Sequence, residues 1–381
     1  MNTVCPEIIC TGCCSCYNKC PHNAISMIEN NYGAIIPIIN NNICVNCELC
    51  KKVCPQLVEN ERFEPKEVYA VWAKNKNEHL SSSSGGAASV FYRNILTRYS
   101  GICIGSLFFD NLFLRYYATE NIDDIEKFKG SKYVQSYVGD IFTQIKEYVK
   151  NKRYVLFIGT PCQVDGLKSF LGDSEYLFTI DLICHGVPPV IYLQQHFKKY
   201  LKKDSKMVVS FRTNNHFRMI LSFYNGKRII IKNDIYLYAY LKGLIYRENC
   251  YHCKYAQKRR SGDITIGDFW GLSNEIASME DAKNGCSVVM LNTKKGKELF
   301  NTCKDDFILY ERTFDEACKK NNQLNYSSIP HKNRKIFLRK YKNDKFTFAC
   351  VKALFPYYQI HSIYHLIVSC FKILTLKNNL L

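Results

Sequence analysis

Two cysteine runs with the same spacing occupy the N-terminal part of this 381-residue chain. Both follow the pattern C-x2-C-x2-C-x3-C-P, the first over residues 10–21 and the second over residues 44–55. This spacing turns three thiolates on one tight loop toward a common centre and leaves the fourth ligand to come from elsewhere. A chain with two such runs must fold so that the runs meet around metal.

The repeated spacing is the pattern of bacterial two-cluster ferredoxins, in which the last cysteine of each run binds the cluster of the other run. We therefore expect two 4Fe-4S clusters, each held by three thiolates of one run and one of the other. The two ligand sets are Cys10, Cys13, Cys16 and Cys54, and Cys44, Cys47, Cys50 and Cys20. A zinc ribbon or a disulfide knot is the alternative, and neither predicts two complete runs. Cys5 and Cys14 fall outside the spacing and are expected to be bystanders.

The composition indicates a globular protein of a reducing compartment. The chain has 20 cysteines, too small a fraction for a disulfide scaffold, and half of them lie in residues 1–54. No basic segment followed by an apolar stretch opens the sequence, so we expect a cytoplasmic protein. The 52 basic residues exceed the 34 acidic ones by 18, which indicates an acidic partner, an anionic ligand or an internal negative charge.

The apolar pattern predicts an α+β chain of three parts. Residues 1–58 are expected to form the two-cluster domain, with a hairpin made by residues 24–28 and 34–38. A charged, proline-containing linker at residues 56–67 precedes a larger mixed α/β domain over residues 68–325. Its predicted elements are strands at 68–73, 154–158, 176–180, 287–291 and 307–310, a helix from Val190, and a hairpin around Asn225-Gly226.

Residues 326–381 are predicted to form a C-terminal helical tail. Pro356, His361 and Ser369 argue against a membrane span, although residues 353–371 carry no charged side chain. The apolar residues Ile360, Ile363, Ile367 and Leu374 share one helical face. We expect this amphipathic helix to dock on the core, with a membrane surface as the alternative.

Four further cysteines stand in positions typical of ligand sites. Cys162 and Cys184 each follow a predicted strand, where ligand sites collect in α/β sheets, and Cys250 and Cys253 form a C-x2-C pair. Taken from the residues alone, Cys162 could be a nucleophile and Cys184 a packed thiol. The pair could equally be half of a zinc site or a redox dithiol, and all four together could hold a third cluster.

The sequence segments around these cysteines resemble those of the coenzyme F420 hydrogenase/dehydrogenase beta subunit family. The matching segments are GTPCQ at 159–163, DLICHGVP at 181–188, CYHC at 250–253, GDITIGDFWG at 262–271, SSSSGG at 81–86 and KGSKYVQS at 129–136. The resemblance runs in order from residue 10 to about residue 330. It implies that Cys162, Cys184, Cys250 and Cys253 bind a third 4Fe-4S cluster, and that the large domain binds FAD.

The resemblance implies an iron–sulfur flavoprotein oxidoreductase that moves electrons between a ferredoxin-type carrier and a small molecule, coenzyme F420 or another substrate. The residues expected at the FAD are Ser84, Gly85, Gly86, Ser131, Lys132 and Asp268. The glycines of that set precede a predicted helix, whose N-terminus would suit a pyrophosphate. His185, beside Cys184, is a candidate proton donor, although a histidine hydrogen-bonded beside a cluster explains it as well.

Two other functions compete with this one. The first is a non-catalytic electron-transfer subunit of a larger redox complex. The second is a basic nucleic-acid-binding protein, prompted by Lys198, Lys199, Lys202, Lys203, Lys258, Arg259 and Arg260. No nucleic-acid fold signature accompanies these residues, so an acidic redox protein such as ferredoxin is the expected partner.

Overall fold

The predicted ferredoxin-type hairpin forms between two short helices. In the computed structural model, β1 (Ile25–Glu29) pairs antiparallel with β2 (Ile35–Ile39). Helix α1 (Ser15–Lys19) precedes the hairpin, and α2 (Leu49–Lys52) follows it. Each helix carries the third cysteine of its run and ends next to the fourth. The structure describes residues 3–213, 216–272, 274–277, 279–356 and 358–360.

An eight-stranded mixed sheet forms the centre of the large domain, as the predicted alternation of strands and helices requires. Its strand order is β13-β3-β12-β11-β7-β6-β4-β5. The four strands β4, β6, β7 and β11 are parallel to one another, whereas the flanking pairs are antiparallel. The strands are β3 (Glu67–Ala73), β4 (Ile102–Phe109), β5 (Phe113–Thr119), β6 (Val155–Gly159), β7 (Leu177–Leu182), β11 (Ile264–Asp268), β12 (Ser287–Leu291) and β13 (Phe307–Arg312). All five strands predicted for this domain are confirmed.

Helices cover both faces of this sheet, which explains why its strands are apolar without alternation. Along β6, Leu156 and Ile158 face a core made with α4 (Ala87–Arg98) and α11 (Lys294–Cys303). Val155 and Phe157 face the opposite core, to which two other helices contribute. Those helices are α6 (Ile141–Lys150) and α7 (Pro161–Leu171). The short helices at the sheet edges are α3 (Lys76–Ser81), α5 (Ile125–Phe128), α10 (Asn274–Ala277) and α12 (Phe314–Cys318).

A second core lies beside the sheet and joins a small sheet to four helices. The small sheet has the order β10-β9-β8, and its predicted hairpin around Asn225-Gly226 is confirmed. The helix predicted from Val190 is also confirmed, with Leu193 and Phe197 buried. The elements are β8 (Val208–Thr213), β9 (His216–Ser222), β10 (Arg228–Ile231), α8 (Val190–Leu201), α9 (Ile235–Leu241), α13 (Arg334–Tyr341) and α14 (Phe346–Leu354).

The helices after residue 325 belong to this second core. Phe337 of α13 and Phe346 of α14 are fully buried and pack on Tyr192 of α8. The division of the chain into residues 1–58, 68–325 and 326–381 stays a prediction. The amphipathic helix predicted through Ile363, Ile367 and Leu374 lies outside the described residues. Within the described part of the chain, no helix is long and apolar enough to cross a membrane.

The predicted linker is anchored to the large domain. Phe63 and Arg260 exchange two backbone hydrogen bonds, at 2.9 and 2.8 Å. The Asn60 amide donates to the Asp165 carboxylate on α7 at 2.8 Å. The two-cluster domain is therefore held against the large domain instead of being tethered loosely.

The packing of α14 yields a stability prediction. Replacing fully buried Phe346 by alanine should remove contacts with four aromatic rings and lower the free energy of unfolding by about 3–5 kcal/mol. Phe348 on the same helix is 47% exposed, so Phe348→Ala should change it by less than about 0.5 kcal/mol. Denaturant unfolding of both variants tests this contrast, and equal losses would contradict it.

Candidate iron–sulfur and flavin sites

The four thiols predicted for the first cluster line a single hollow in the two-cluster domain. Cys10, Cys13 and Cys16 come from the first run, and Cys54 reaches the same hollow from the second. All four side chains are buried, with at most 8% exposure. The structure therefore brings together the ligand set that the crossed assignment requires.

The second predicted set lines another hollow, which faces solvent. It contains Cys44, Cys47 and Cys50 together with Cys20 from the first run. Cys47 is exposed, and the other three thiols are partly exposed. The two hollows thus differ in their access to water, although the sequence spacing around them is identical.

The backbone repeats along with the sequence. Gly12 and Asn46, at matching places in the two runs, have φ angles of 65° and 54°. Cys14 and Glu48, also at matching places, have φ angles of 63° and 59°. These left-handed residues turn the chain tightly between successive cysteines, which is what directs three thiols toward one point. The repeated conformation fits two clusters of the same kind.

Cys5 lies in the first hollow together with Cys14, the other expected bystander, and both roles stay predictions. Cys5 is 5% exposed and lines the hollow together with the four predicted ligands. The Cys5 thiol hydrogen-bonds to Cys10 and Cys54, and this contact lowers the pKa of both of those thiols. Only its position five residues upstream of Cys10 marked it in the sequence.

The four cysteines of the large domain also come together. The ends of β6 and β7 are aligned, with Gly159 opposite Asp181, so that Cys162 and Cys184 each stand three residues beyond a paired position. The loop after Cys184 packs on Cys250, because a Cβ added to Gly186 would lie 3.1 Å from the Cys250 Cβ.

The pKa shifts of the four thiols indicate that they lie near one another. Burial raises the pKa of Cys184 to about 12 and that of Cys250 to about 11. Burial likewise raises the pKa of Cys162 and of Cys253. Mutual repulsion adds to the effect of burial, since Cys162 and Cys184 each interact with both members of the C-x2-C pair. The four thiols are therefore close enough to interact, and Cys250 is buried while the other three are partly exposed.

A buried ion pair holds the third set of thiols in place. Asp181, at the end of β7, accepts hydrogen bonds from Arg260, Thr265 and the backbone of Ser261 and Gly262. Arg260 also donates to the carbonyls of Leu182 and Tyr255, on either side of the site. Because Arg260 is buried, it is not part of the basic surface that prompted the nucleic-acid-binding alternative.

Arg62 offers donors that no protein atom accepts. In the described structure its Nε and Nη2 are buried without a hydrogen-bond partner. The guanidinium lies over the Tyr255 ring at 5.2 Å, and its charge opposes the rise in the pKa of Cys253. Unpartnered cationic donors near Cys253 fit an anionic cluster at this place. No three His, Cys, Asp or Glu side chains of the described residues are placed to hold a single metal ion.

Helix α7 connects the first and third sets of thiols. Cys162 stands in its first turn, and Gly166 lies one turn further along, against the first cysteine run. A Cβ on Gly166 would lie 2.9 Å from the Cys13 Sγ, and Ser15 donates a hydrogen bond to the Gly166 carbonyl at 2.8 Å. One helical turn therefore separates the two sets.

The glycines predicted at the FAD have structural roles. A Cβ on Gly85 would lie 2.2 Å from the Val71 carbonyl, so only glycine fits between the strands there. Gly86 has a φ of 82° and begins α4, the predicted helix. Ser84 donates a hydrogen bond to the Cys286 carbonyl. This loop meets the segment that contains the next predicted residue, because the Ser131 backbone N–H donates to Ser83 at 3.0 Å.

The remaining predicted residues of this site already have protein partners. Lys132 donates to the carbonyls of Phe128, Lys129 and Gly130, and burial lowers its pKa to about 7. Asp268 pairs with Arg212 at 2.6 Å. His185 has its pKa lowered by burial, an effect that Asp268 opposes. The segments converge at the carboxyl end of the parallel strands, where Lys132 and Asp268 are bound to protein groups.

Several residues near the thiols gave no signal in the sequence. Arg62 and Tyr255 belong to no recognised motif, and neither does Arg247, a buried residue that contacts both domains. Their importance arises from burial and from contacts between residues distant along the chain. A basic or aromatic residue next to a cysteine pair is otherwise too common to single out.

Comparison with known proteins identifies two domain models. Residues 152–317 match the C terminus of the coenzyme F420 hydrogenase/dehydrogenase beta subunit, and residues 9–58 match a 4Fe-4S dicluster domain. One similar solved structure belongs to the F420-reducing [NiFe] hydrogenase complex from Methanosarcina barkeri. It shares 19% identity, with a TM-score of 0.47, over 76% of this chain and 93% of that chain. The search of curated proteins gave no match.

The contact at Gly166 yields a prediction about docking of the two domains. Gly166→Ala should displace the Cys13 loop, because the added methyl group would overlap Ser15 Oγ and Cys13 Sγ. We expect the iron of the first cluster to be lost or labile to chelators, and the interface to become accessible to limited proteolysis.

Ser15→Ala is the matched control, since it removes the hydrogen bond to Gly166 without adding volume. It should keep its iron and cost about 1 kcal/mol of stability. Intact iron and unchanged proteolysis in Gly166→Ala would contradict the close approach of α7 to the first hollow.

Proposed function

We propose that this chain, which carries the C-terminal domain of coenzyme F420 hydrogenase/dehydrogenase beta subunits behind a 4Fe-4S dicluster domain, is an iron–sulfur oxidoreductase with three clusters and FAD. Its dicluster domain makes it an iron–sulfur electron-transfer protein. The observation that carries the proposal is the gathering of Cys184, Cys250 and Cys253 near Cys162 in the first turn of α7, one helical turn from the contact of Gly166 with Cys13. Each bound cluster supplies one-electron redox chemistry, and a flavin supplies two-electron chemistry.

The residues of the chain divide into three ligand sets under this proposal. The first and second clusters are bound by the crossed sets of the two cysteine runs, and the third by the cysteines of the large domain. The third set is Cys162, Cys184, Cys250 and Cys253. The protein buries all four thiols of the first set and Cys250 of the third, and α7 keeps the separation of the two sets short.

The second hollow is the part of this arrangement best suited to exchange electrons with a partner. Cys47 is exposed there, next to the exposed apolar side chains of Ile43 and Val45. Lys51 and Lys52 are exposed on α2 beside them. An acidic redox protein such as ferredoxin would meet apolar and positive surface together, which suits a transient complex.

We place the FAD at the carboxyl end of the parallel strands. The Ser84–Gly86 loop at the start of α4 meets Ser131 there, and the N-terminus of a twelve-residue helix suits a pyrophosphate. Lys132 and Asp268 would have to exchange their present partners to contact the cofactor. The small molecule that reacts with the flavin, coenzyme F420 or another, is a further part of the proposal, as is the proton-donor role of His185.

Metal analysis tests the clusters. Anaerobically purified protein should contain about 12 iron atoms and as many sulfides per chain, four for each of three clusters. Cys253→Ser should lower iron by about four atoms and leave the signals of the dicluster domain intact. Cys286, buried in a core and distant from the three sets, provides the control, since Cys286→Ser should keep all of the iron. About eight iron atoms in the unmodified protein would remove the third cluster from the proposal.

Flavin analysis tests the FAD separately. The unmodified protein should release one FAD on denaturation, and Ser131→Asp should abolish this by placing a carboxylate against the diphosphate, with iron unchanged. Ser100→Asp is the control, because Ser100 is exposed at the opposite end of α4 and has a φ of 45° that aspartate tolerates. Full iron without any flavin would leave the non-catalytic electron-transfer subunit as the function.

A further inference from the structure

Arg247 is a buried cation that joins the two domains. Its side chain is 3% exposed, and its Nη2 donates to the carbonyl of Cys10 in the first hollow at 2.9 Å. Its two terminal nitrogens both donate to the Ile35 carbonyl at 3.1 Å. On the side of the large domain, Nη1 donates to the Gln135 side chain at 2.6 Å, and Nε donates to Asn249 at 3.1 Å.

All of these acceptors are neutral. Within the described residues, no carboxylate lies within ion-pair distance of Arg247. Other buried arginines differ in this respect. Arg260 pairs with Asp181 at 3.0 Å, Arg334 with Glu248 at 2.9 Å, and Arg212 with Asp268 at 2.6 Å. A buried charge without a counter-charge is costly, so negative charge is expected next to Arg247 from another source.

Two thiols flank this arginine, one from each of two proposed ligand sets. Cys10 belongs to the first set, and Arg247 holds its carbonyl directly. Cys250 belongs to the third set and follows Arg247 by three residues, with its backbone N–H bonded to the Arg247 carbonyl at 3.1 Å. The charge of Arg247 lowers the pKa of Cys10 and opposes the rise that burial causes at Cys250.

We propose that Arg247 is a shared counter-charge for the first and third clusters, and that it raises the reduction potentials of both. The inference rests on the proposed function, since it needs a cluster on each side. Reduction adds negative charge to a cluster, and a fixed positive charge in a buried, low-dielectric place favours the reduced form. Arg247 is thus a positioning residue that acts through the ligands and also ties the Cys10 loop to the large domain.

The test measures the reduction potential of each cluster by EPR-monitored titration, with signals assigned from Cys253→Ser and Cys47→Ser variants. Gln135→Glu is the sharpest variant, because it places a carboxylate 2.6 Å from Nη1 without changing the size of the side chain. The first and third clusters should each become harder to reduce by about tenfold in the one-electron equilibrium, which is about 59 mV. The second cluster should keep its potential.

Two substitutions of the arginine accompany this variant. Arg247→Met should lower the same two potentials, whereas Arg247→Lys, which retains the charge, should restore most of the difference. Arg334→Met is the matched control, because Arg334 is buried near Cys250 but is neutralised by Glu248 and does not contact the Cys10 loop. It should leave the potential of the first cluster unchanged.

The outcomes separate the two proposals. Iron near 12 atoms with the potentials unmoved in Gln135→Glu, or with only one of them moved, would overturn the shared role of Arg247 and leave the three clusters in place. Iron near eight atoms in the unmodified protein would remove the third cluster and the shared role together. Should Arg247→Met lose its iron, Gln135→Glu still decides the matter, because it retains Arg247 and the hydrogen bonds of that arginine to Cys10 and Ile35.

Discussion

The close approach of α7 to the first cysteine run is the contact on which the rest of the structure depends. Gly166 leaves no room for a side chain against Cys13, and the Ser15 hydroxyl fastens the two segments together. Since α7 also carries Cys162 in its first turn, this packing contact, together with Arg247 and the anchored linker, fixes the small domain relative to the third set of thiols. A looser interface would leave two redox domains without a defined distance between them.

Parallel pairing of β6 and β7 provides the other half of the arrangement. Their aligned carboxyl ends put Cys162 and Cys184 at one edge of the sheet. There the carboxylate of the fully buried Asp181 accepts hydrogen bonds from Arg260 and from the backbone of Ser261. The same edge receives the segments predicted at the FAD. The mixed sheet therefore brings Cys162 and Cys184 to the edge of the proposed flavin site without a dinucleotide-binding glycine motif, because both cysteines follow the carboxyl ends of parallel strands.

Much of this could be predicted from the sequence, and the limits have physical causes. The crossed partners of the two cysteine runs follow from local spacing, and the buried strands from runs of apolar residues. The prediction that four cysteines of the large domain meet depended on the family resemblance, because their proximity arises from strand order. These are Cys162, Cys184, Cys250 and Cys253. The position of Cys5 in the first hollow could not be predicted, because its burial is set by contacts with both runs. The glycines at 85 and 86 are needed for packing and for a positive φ, so their presence alone does not identify a ligand contact.

The basic residues behind the excess of 18 positive charges fall into an exposed group and a buried group, whose charges act on different things. The lysines of α8 at 198 and 199 are exposed and exert a field that salt screens. Arg62 and Arg247 lie inside, without carboxylate partners in the described structure, and their charges act at short range where water is scarce. Surface charge of the first kind governs encounter with acidic partners, whereas buried charge of the second kind requires internal negative charge. Under the proposed function, thiolate-bound clusters supply that charge at the two places where these arginines stand, and part of the net charge of the sequence then reflects cofactors that its formal count omits.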